Sequence, residues 1–357
     1  MFRSRRAPRL AVVLASATLL LATACGGGSS SDDASNASDS EGGASTSGGS
    51  AFPVSLAHKY GKTTIEAEPE RIVTVGLTDQ DAVLALGKVP VGTTEWLGGY
   101  PGAIGPWAED KLGSAKAPTV LKDTGTGPQI EKIAALKPDL ILAVYGGLTE
   151  EQYESLSKFA PVVAQPKAYN DYGVPWQEQT ETIGKALGKE KEAADAVAVT
   201  EAKIKAAADK YPAFKGATAV MATPYEGMFV FGSQDARSRL LTGLGFSLPK
   251  DLDKAIGDRF GANISKERTD LLDQDALVWI VGDPAEDAAK LHKDASYKDL
   301  GVVEEGREVF VNESSDYGNA TSFVSVLSLP YVVERLAPQL AAAVDGKADT
   351  KVEQPAS

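Results

Sequence analysis

Short β-branched runs that alternate with capped helical segments constrain this chain more than any other feature. The run Ile72-Val73-Thr74-Val75 reads as a strand, and Asp79 is placed to cap a helix that ends at Leu86, before Gly87. A second strand starts at Val89-Pro90-Val91-Gly92. Ile130 to Leu136 reads as a helix entered through Pro128. Lys137-Pro138 stops it ahead of Leu140-Ile141-Leu142-Ala143-Val144, a strand of the fully buried type. Thr149 and Gln152 have capping-box spacing, and Pro161-Val162-Val163-Ala164 follows as another strand. Such alternation predicts an α/β fold of parallel-type sheets flanked by helices.

The alternation stops once. Residues 176–211 are rich in Ala, Glu and Lys and contain no proline, so they predict one long bridging helix, with Gly184 and Gly188 as the places where it could break. Twenty residues of helix already cross about 30 Å. Alternation then resumes, with strands at 217–221, 228–231, 276–281 and 309–311 and a helix at 236–244. A final amphipathic helix runs from Ser322 to about Val344. Glu131 to Leu142 and Glu267 to Val278 echo each other, each with a Glu-basic start, a helix, an Asp and then a strand. Chance similarity is one explanation. The other is two lobes of like topology, residues 53–175 and 212–357, joined by the bridging helix.

The N-terminus reads as an export signal. Arg3, Arg5, Arg6 and Arg9 surround the start of an apolar run, Leu10 to Leu21, too short to span a bilayer permanently; residues 1–24 fit a lipoprotein signal peptide. The run ends Leu21-Ala22-Thr23-Ala24-Cys25, which resembles a lipobox, with Ala22 where Leu is usual. Cys25 is the one cysteine in the chain, and its place implies lipidation; plain secretion with a chance cysteine is the competing explanation. Ser4-Arg5-Arg6 leaves both Sec and Tat export open. Residues 25–52 are dominated by Gly, Ser, Asp and Ala and predict a flexible tether. These parts describe a protein lipid-anchored at the extracellular face of the cell membrane.

Composition excludes several classes. Loss of the four arginines takes the formal charge from −13 to −17, which argues against nucleic acid as a partner. With Cys25 used, no thiol is left for a disulfide, an Fe–S cluster or a cysteine-ligated zinc, and His58 and His292 are the only histidines. A secreted α/β hydrolase is the alternative from another class. The chain has no Gly-x-Ser-x-Gly elbow and no His-Glu-x-x-His motif, and the expectation is that it is not an enzyme.

Several segments in order carry a resemblance: Pro69-Glu70-Arg71-Ile72-Val73, Thr78 through Gly87, Glu131 through Leu142, Tyr172-Gly173-Val174-Pro175-Trp176 and Thr321 through Tyr331. With these, residues 53–345 resemble the helical-backbone solute-binding proteins of ABC importers for ferric siderophores, haem and cobalamin, the iron–siderophore binders in particular. The resemblance implies a ligand cleft between two lobes, at the carboxyl ends of the strands. A single helical bridge implies small closure on binding. It further implies a monomer that captures a ferric siderophore and delivers it to ABC permease subunits. The iron arrives as a finished chelate, so neither a cofactor nor a direct metal ligand is expected. Haem or cobalamin remains as an alternative ligand.

A bulky chelate needs aromatic walls and a few donors for its oxygens. Trp96, Tyr100 and Trp107 lie in a Gly/Pro-rich loop, either facing the cleft or packed beneath the loop. Tyr145 sits just past a strand end, Tyr172 precedes the bridging helix, and Tyr225 follows a strand of the second lobe. Trp176 reads instead as an anchor for the bridging helix. Arg237 and Arg239 open a helix, where an arginine opposes the helix dipole and so needs another partner. Arg259 is a weaker candidate of the same kind, and Tyr317 is placed to close the cleft. Glu131 and Glu267 occupy matching helix starts, and the resemblance implies docking to permease arginines; a carboxylate favoured by a helix N-terminus is the plainer account. The acidic chain argues against a strongly anionic tris-catecholate and for a neutral, cationic or mixed chelate.

Overall fold

The structure, a computed structural model, describes residues 51–122 and 127–355. The signal peptide, Cys25 and nearly all of the tether lie outside the described residues. No helix among the described residues is long and apolar enough to cross a membrane.

The first lobe opens with a hairpin, β1 (Val54–His58) and β2 (Gly61–Ile65), that the alternation did not reveal. It continues with β3 (Ile72–Thr74), α1 (Asp79–Ala85), β4 (Gly92–Glu95), α2 (Glu109–Leu112) and β5 (Thr119–Lys122). Then come α3 (Ile130–Ala135), β6 (Leu140–Ala143), α4 (Glu150–Leu156) and β7 (Val162–Ala164). The sheet order is β5-β4-β3-β6-β7, all parallel. β6 is buried at all four positions, as a central parallel strand covered on both faces must be. The strand expected at Val89 starts at Gly92, because Pro90 offers no N–H to the ladder.

The bridging segment is two helices. α5 (Trp176–Ala186) and α6 (Glu190–Lys210) are separated at Gly188, whose φ of +66° suits glycine. Gly184 does not break the helix. A Cβ there would stand 2.3 Å from the Cβ of Ala193, so its missing side chain lets α5 and α6 touch. α6 spans about 31 Å at 1.5 Å per residue. It packs on α5 and on the last helix, α12 (Ser328–Ala343), and so contacts both lobes.

The second lobe comprises β8 (Ala219–Thr223), β9 (Met228–Phe231), α7 (Ala236–Gly243), α8 (Leu252–Ile256) and β10 (Gly261–Ile264). β11 (Ala276–Val281), α9 (Pro284–Leu291), α10 (Gly301–Glu304), β12 (Glu308–Asn312), α11 (Asp316–Phe323) and α12 complete it. Its order is β10-β9-β8-β11-β12. β8, β11 and β12 are parallel, whereas β9 and β10 run antiparallel to their neighbours. A wholly parallel layout fails here because only Pro224 to Gly227 separate β8 from β9, and a parallel crossover needs a dozen residues. The triplets β3-β6-β7 and β8-β11-β12 correspond, and the echo segments supply the middle strand of each. Trp279 on β11 is fully buried with its Nε1 donating to the Tyr297 hydroxyl at 2.7 Å.

The last helix also differs from the expected single run. Val324 takes φ +38° between α11 and α12, a costly conformation for a β-branched residue. Two serines hold the break: Ser325 Oγ accepts from Ser328 N at 3.0 Å, and Ser328 Oγ accepts from Ser325 N at 2.8 Å.

Candidate functional site

Two sets of contacts join the lobes. The first is buried and starts from α1. Asp79 does not cap that helix; Thr78 occupies the cap position without a capping bond, and its hydroxyl accepts instead from Gln179 Nε2 at 2.9 Å. The Asp79 carboxylate turns onto the end of β6, accepting from Val144 N at 2.8 Å and Tyr145 N at 3.0 Å, and from Gln179 Nε2 of α5 at 2.7 Å. Gly76 makes room, since a Cβ there would fall 2.1 Å from Asp79 Oδ2. Burial raises the Asp79 carboxyl above its ordinary value despite these bonds.

Asp81 then reaches both lobes. Its Oδ2 accepts from Trp107 Nε1 at 2.8 Å and from the hydroxyl of Ser325 in the second lobe. Its Oδ1 meets no donor among the described residues. Burial pushes the carboxyl up to about 6, and the two hydrogen bonds pull the other way. Around this node the rings of Trp96 and Trp107 lie 5.3 and 5.1 Å from Phe323, and Tyr100 meets Trp107 edge-on at 5.8 Å. Tyr100 also crosses the gap, its hydroxyl donating to Asp316 Oδ1 at 2.8 Å, and burial and Asp316 both raise its pKa.

The second set is more open. Asn170 Nδ2 donates to the carbonyl of Asp258 at 2.6 Å, and Arg239 Nη1 to the carbonyl of Gly173 at 2.6 Å. Tyr172 stands edge-on to Tyr145 at 6.2 Å and to Phe260 at 6.0 Å, and Phe260 meets Phe229 at 5.7 Å. These rings form a run from the end of β6, across the lobes, to the antiparallel edge of the second sheet. Tyr225, in the turn after β8, is 63% exposed, the most open large ring described. A cavity of about 220 Å³ opens at the ends of β3, β4 and β6, with Gly76, Gly146, Gly147 and Tyr172 among its walls. That is smaller than the roughly 300–1,000 Å³ of a small-molecule pocket, so a chelate would need the second lobe's rings as well. A larger groove between α6, α12 and Trp107 lies behind the bridge, away from the strand ends.

The structure corrects several sequence-based candidates. Tyr317 is buried, with its hydroxyl bonded to Gln339 of α12 at 2.8 Å; its neighbour Asp316 faces the other lobe. Tyr145 lies at the cleft but is 4% exposed, so it backs Tyr172. Trp107 is committed to Asp81. Arg237 is committed to Asp235, through Nε to Oδ1 and Nη2 to Oδ2, both at 2.8 Å, with its guanidinium 3.8 Å above the Phe231 ring. This is the partner that its helix-start position demanded. Burial opposes the Arg237 charge and Asp235 outweighs it, raising the pKa. Arg259 is exposed and donates to the carbonyl of Ile256 at 3.3 Å. Trp176 lies in the core, as an anchor would. Sequence reasoning missed Phe229, Phe260 and Phe323; only Phe260 adjoins a chosen residue, Arg259, and Phe229 and Phe323 carried no such signal.

Glu131 and Glu267 are both exposed, in short helices that lead into β6 and β11. Ser265 beside Glu267 lowers its pKa. Neither histidine lies at the cleft. His58 Nδ1 accepts from Tyr60 N at 3.2 Å, so Nε2 carries the proton toward Thr63 Oγ1 at 2.9 Å, and burial lowers its pKa. His292 Nε2 is 2.7 Å from Glu308. No group of three or more His, Cys, Asp or Glu among the described residues could hold a metal ion.

Two sheets joined by a long helix, with aromatic rings meeting across the gap, define a solute-binding protein of the helical-backbone type. The periplasmic binding protein family matches residues 72–309, and the chain belongs to it. Family and structural neighbours are substrate-binding transport proteins, and this chain is one of them rather than an enzyme. The chain is 27% identical over 283 residues to YhfQ of Bacillus subtilis, assigned as an ABC transporter substrate-binding lipoprotein, covering 73% of this chain and 81% of that one. A periplasmic solute binding protein from Mycobacterium smegmatis superposes with a TM-score of 0.70 at 32% identity, over 82% of this chain and 98% of the other. PiaA of Streptococcus pneumoniae, solved with ferrichrome, superposes with a TM-score of 0.74 at 28% identity, over 82% and 99%.

Proposed function

We propose that this protein captures a ferric siderophore between its lobes, outside the cell, and delivers it to an ABC permease. The observation that carries this is the run of rings Tyr172, Phe260 and Phe229 across the lobes, with Tyr225 exposed nearby. Flat apolar faces suit the organic wall of a wrapped iron, and no protein ligand to the metal is needed. The ferrichrome complex of PiaA, a structural neighbour, supports the same reading. Tyr145 and Tyr317 are buried, Trp107 and Arg237 are half-buried but committed to Asp81 and Asp235, and Arg239 ties the lobes. Trp96, Tyr100, Tyr172, Tyr225 and Arg259, half-buried or exposed, are proposed as ligand contacts. Glu131 and Glu267 are proposed as one permease-docking carboxylate on each lobe. Cys25 is proposed to carry the lipid that holds the monomer at the membrane. Histidine-ligated haem is disfavoured by where His58 and His292 sit. Native mass spectrometry of the purified protein after exposure to ferric siderophores and haem tests the reading. One retained ferric chelate per chain supports it, and retention of haem alone would overturn it.

A further inference from the structure

We propose that the C-terminal tail, residues 347–355, is a removable strap over the open edge of the second sheet, and that this edge pairs with a second copy of the chain when the strap is displaced. β12 is the outermost strand on its side of that sheet. Leu277 N donates to Arg307 O and Glu313 N to Val281 O, so residues 307, 309, 311 and 313 turn their backbone groups toward β11. Glu308, Phe310 and Asn312 therefore turn theirs outward. Asn312 O accepts from Ser315 N at 3.1 Å, whereas the outward groups of Glu308 and Phe310 have no backbone partner among the described residues. The strand Glu308-Val309-Phe310-Val311-Asn312 holds no proline or lysine to discourage pairing, and its β-branched and aromatic residues favour it.

The equivalent edge of the first sheet, β7, is closed firmly. The β1–β2 hairpin lies against it, and the buried Thr63 donates its hydroxyl to the outward carbonyl of Val162 at 2.6 Å. At β12 the same task falls to the tail. After α12, Asp345 accepts from Lys347 N at 2.8 Å and from Thr350 Oγ1 at 2.6 Å, a turn that sends the chain back toward the sheet. The tail passes Gly306, where a Cβ would stand 3.2 Å from Ala348 O. It then reaches Phe310, whose outward carbonyl accepts from Gln354 Nε2 at 2.5 Å. Its hold is slight. Val352 packs on the core, and Gln339 Nε2 of α12 donates to Glu353 O at 2.9 Å. Gln354, unlike Thr63, is exposed, and a groove of about 610 Å³ stays open between the tail and α12. Exposed bonds are replaced by water when they break, so the strap lifts at little cost. With it lifted, a two-fold axis at Phe310 would set Phe310 against its copy, exchanging both bonds, and Glu308 against Asn312.

Size-exclusion chromatography with light scattering at micromolar concentration tests this on the full chain, on a chain ending at Gly346, and on that shorter chain with Phe310→Pro. The full chain should run as a monomer and the shorter chain at twice its own mass. Phe310→Pro removes the outward N–H without touching the bonds to β11, and should return the shorter chain to a monomer. Should the shorter chain fail to fold, the full chain with Val352→Asp and Gln354→Ala, which loosens the same strap, takes its place. A shortened or loosened chain that stays monomeric would overturn the proposal, as would a dimer that Phe310→Pro leaves intact or a full chain that is already dimeric.

Discussion

The two places where the lobes meet differ in kind. At Asp81 the contact centres on a fully buried carboxylate, which holds an indole N–H of one lobe and a serine hydroxyl of the other beside Trp96, Trp107 and Phe323. At Tyr172 the contact is an edge-on ring pair and two bonds to backbone carbonyls, beside the 37%-exposed Phe260. Buried polar contacts resist separation because each broken bond leaves an unsatisfied group, whereas exposed ones are replaced by water. The Asp81 node therefore behaves as a pivot and the Tyr172 side as a seam that can part for a ligand.

Substitutions at the node should have the largest effect. Trp107→Ala removes a half-buried indole and one of two donors to Asp81, and should cost about 3 kcal/mol in urea unfolding. A loss below 1 kcal/mol would break the distinction between pivot and seam. The pH dependence sharpens it. The Asp81 carboxyl rises from an ordinary 3.8 to about 6 in the fold, so the folded state holds a proton that the unfolded state has released. Its contribution to stability is greatest at acid pH and is lost as pH rises toward 6. Asp81→Asn should thus gain on the wild type by about 2 kcal/mol between pH 4.5 and 7.5. A constant difference between the two unfolding curves would contradict the buried charge.

How much of this the sequence disclosed depended on locality. The capping box at Thr149 and the buried strand at Leu140 to Ala143 are set by neighbouring residues, and they were legible. The split of the last helix was not, because Ser325 and Ser328 act through reciprocal bonds that no hydrophobic period records. The site was half legible. Aromatics near strand ends could be picked out, but whether a ring faces the gap or the core depends on the other lobe. Adjacent Asp316 and Tyr317 went to opposite environments, and Arg237 was consumed by an aspartate two residues away.

Smaller effects are expected away from the node. Arg239→Ala removes one seam bond to a carbonyl and should cost about 1 kcal/mol, with chelate affinity changing more than stability. Thermal unfolding with and without ligand separates the two. Glu131→Ala and Glu267→Ala should leave stability within about 0.5 kcal/mol and ligand affinity unchanged, while abolishing uptake in cells. Loss of chelate affinity in those variants would place the site elsewhere.

The most direct test of the receptor account is tryptophan quenching by ferrichrome in the wild type, Tyr225→Ala and Phe260→Ala. The account predicts saturation at one equivalent in the wild type and affinity weakened by about tenfold or more in each variant. Saturable binding that neither substitution alters would contradict capture in the cleft between the lobes.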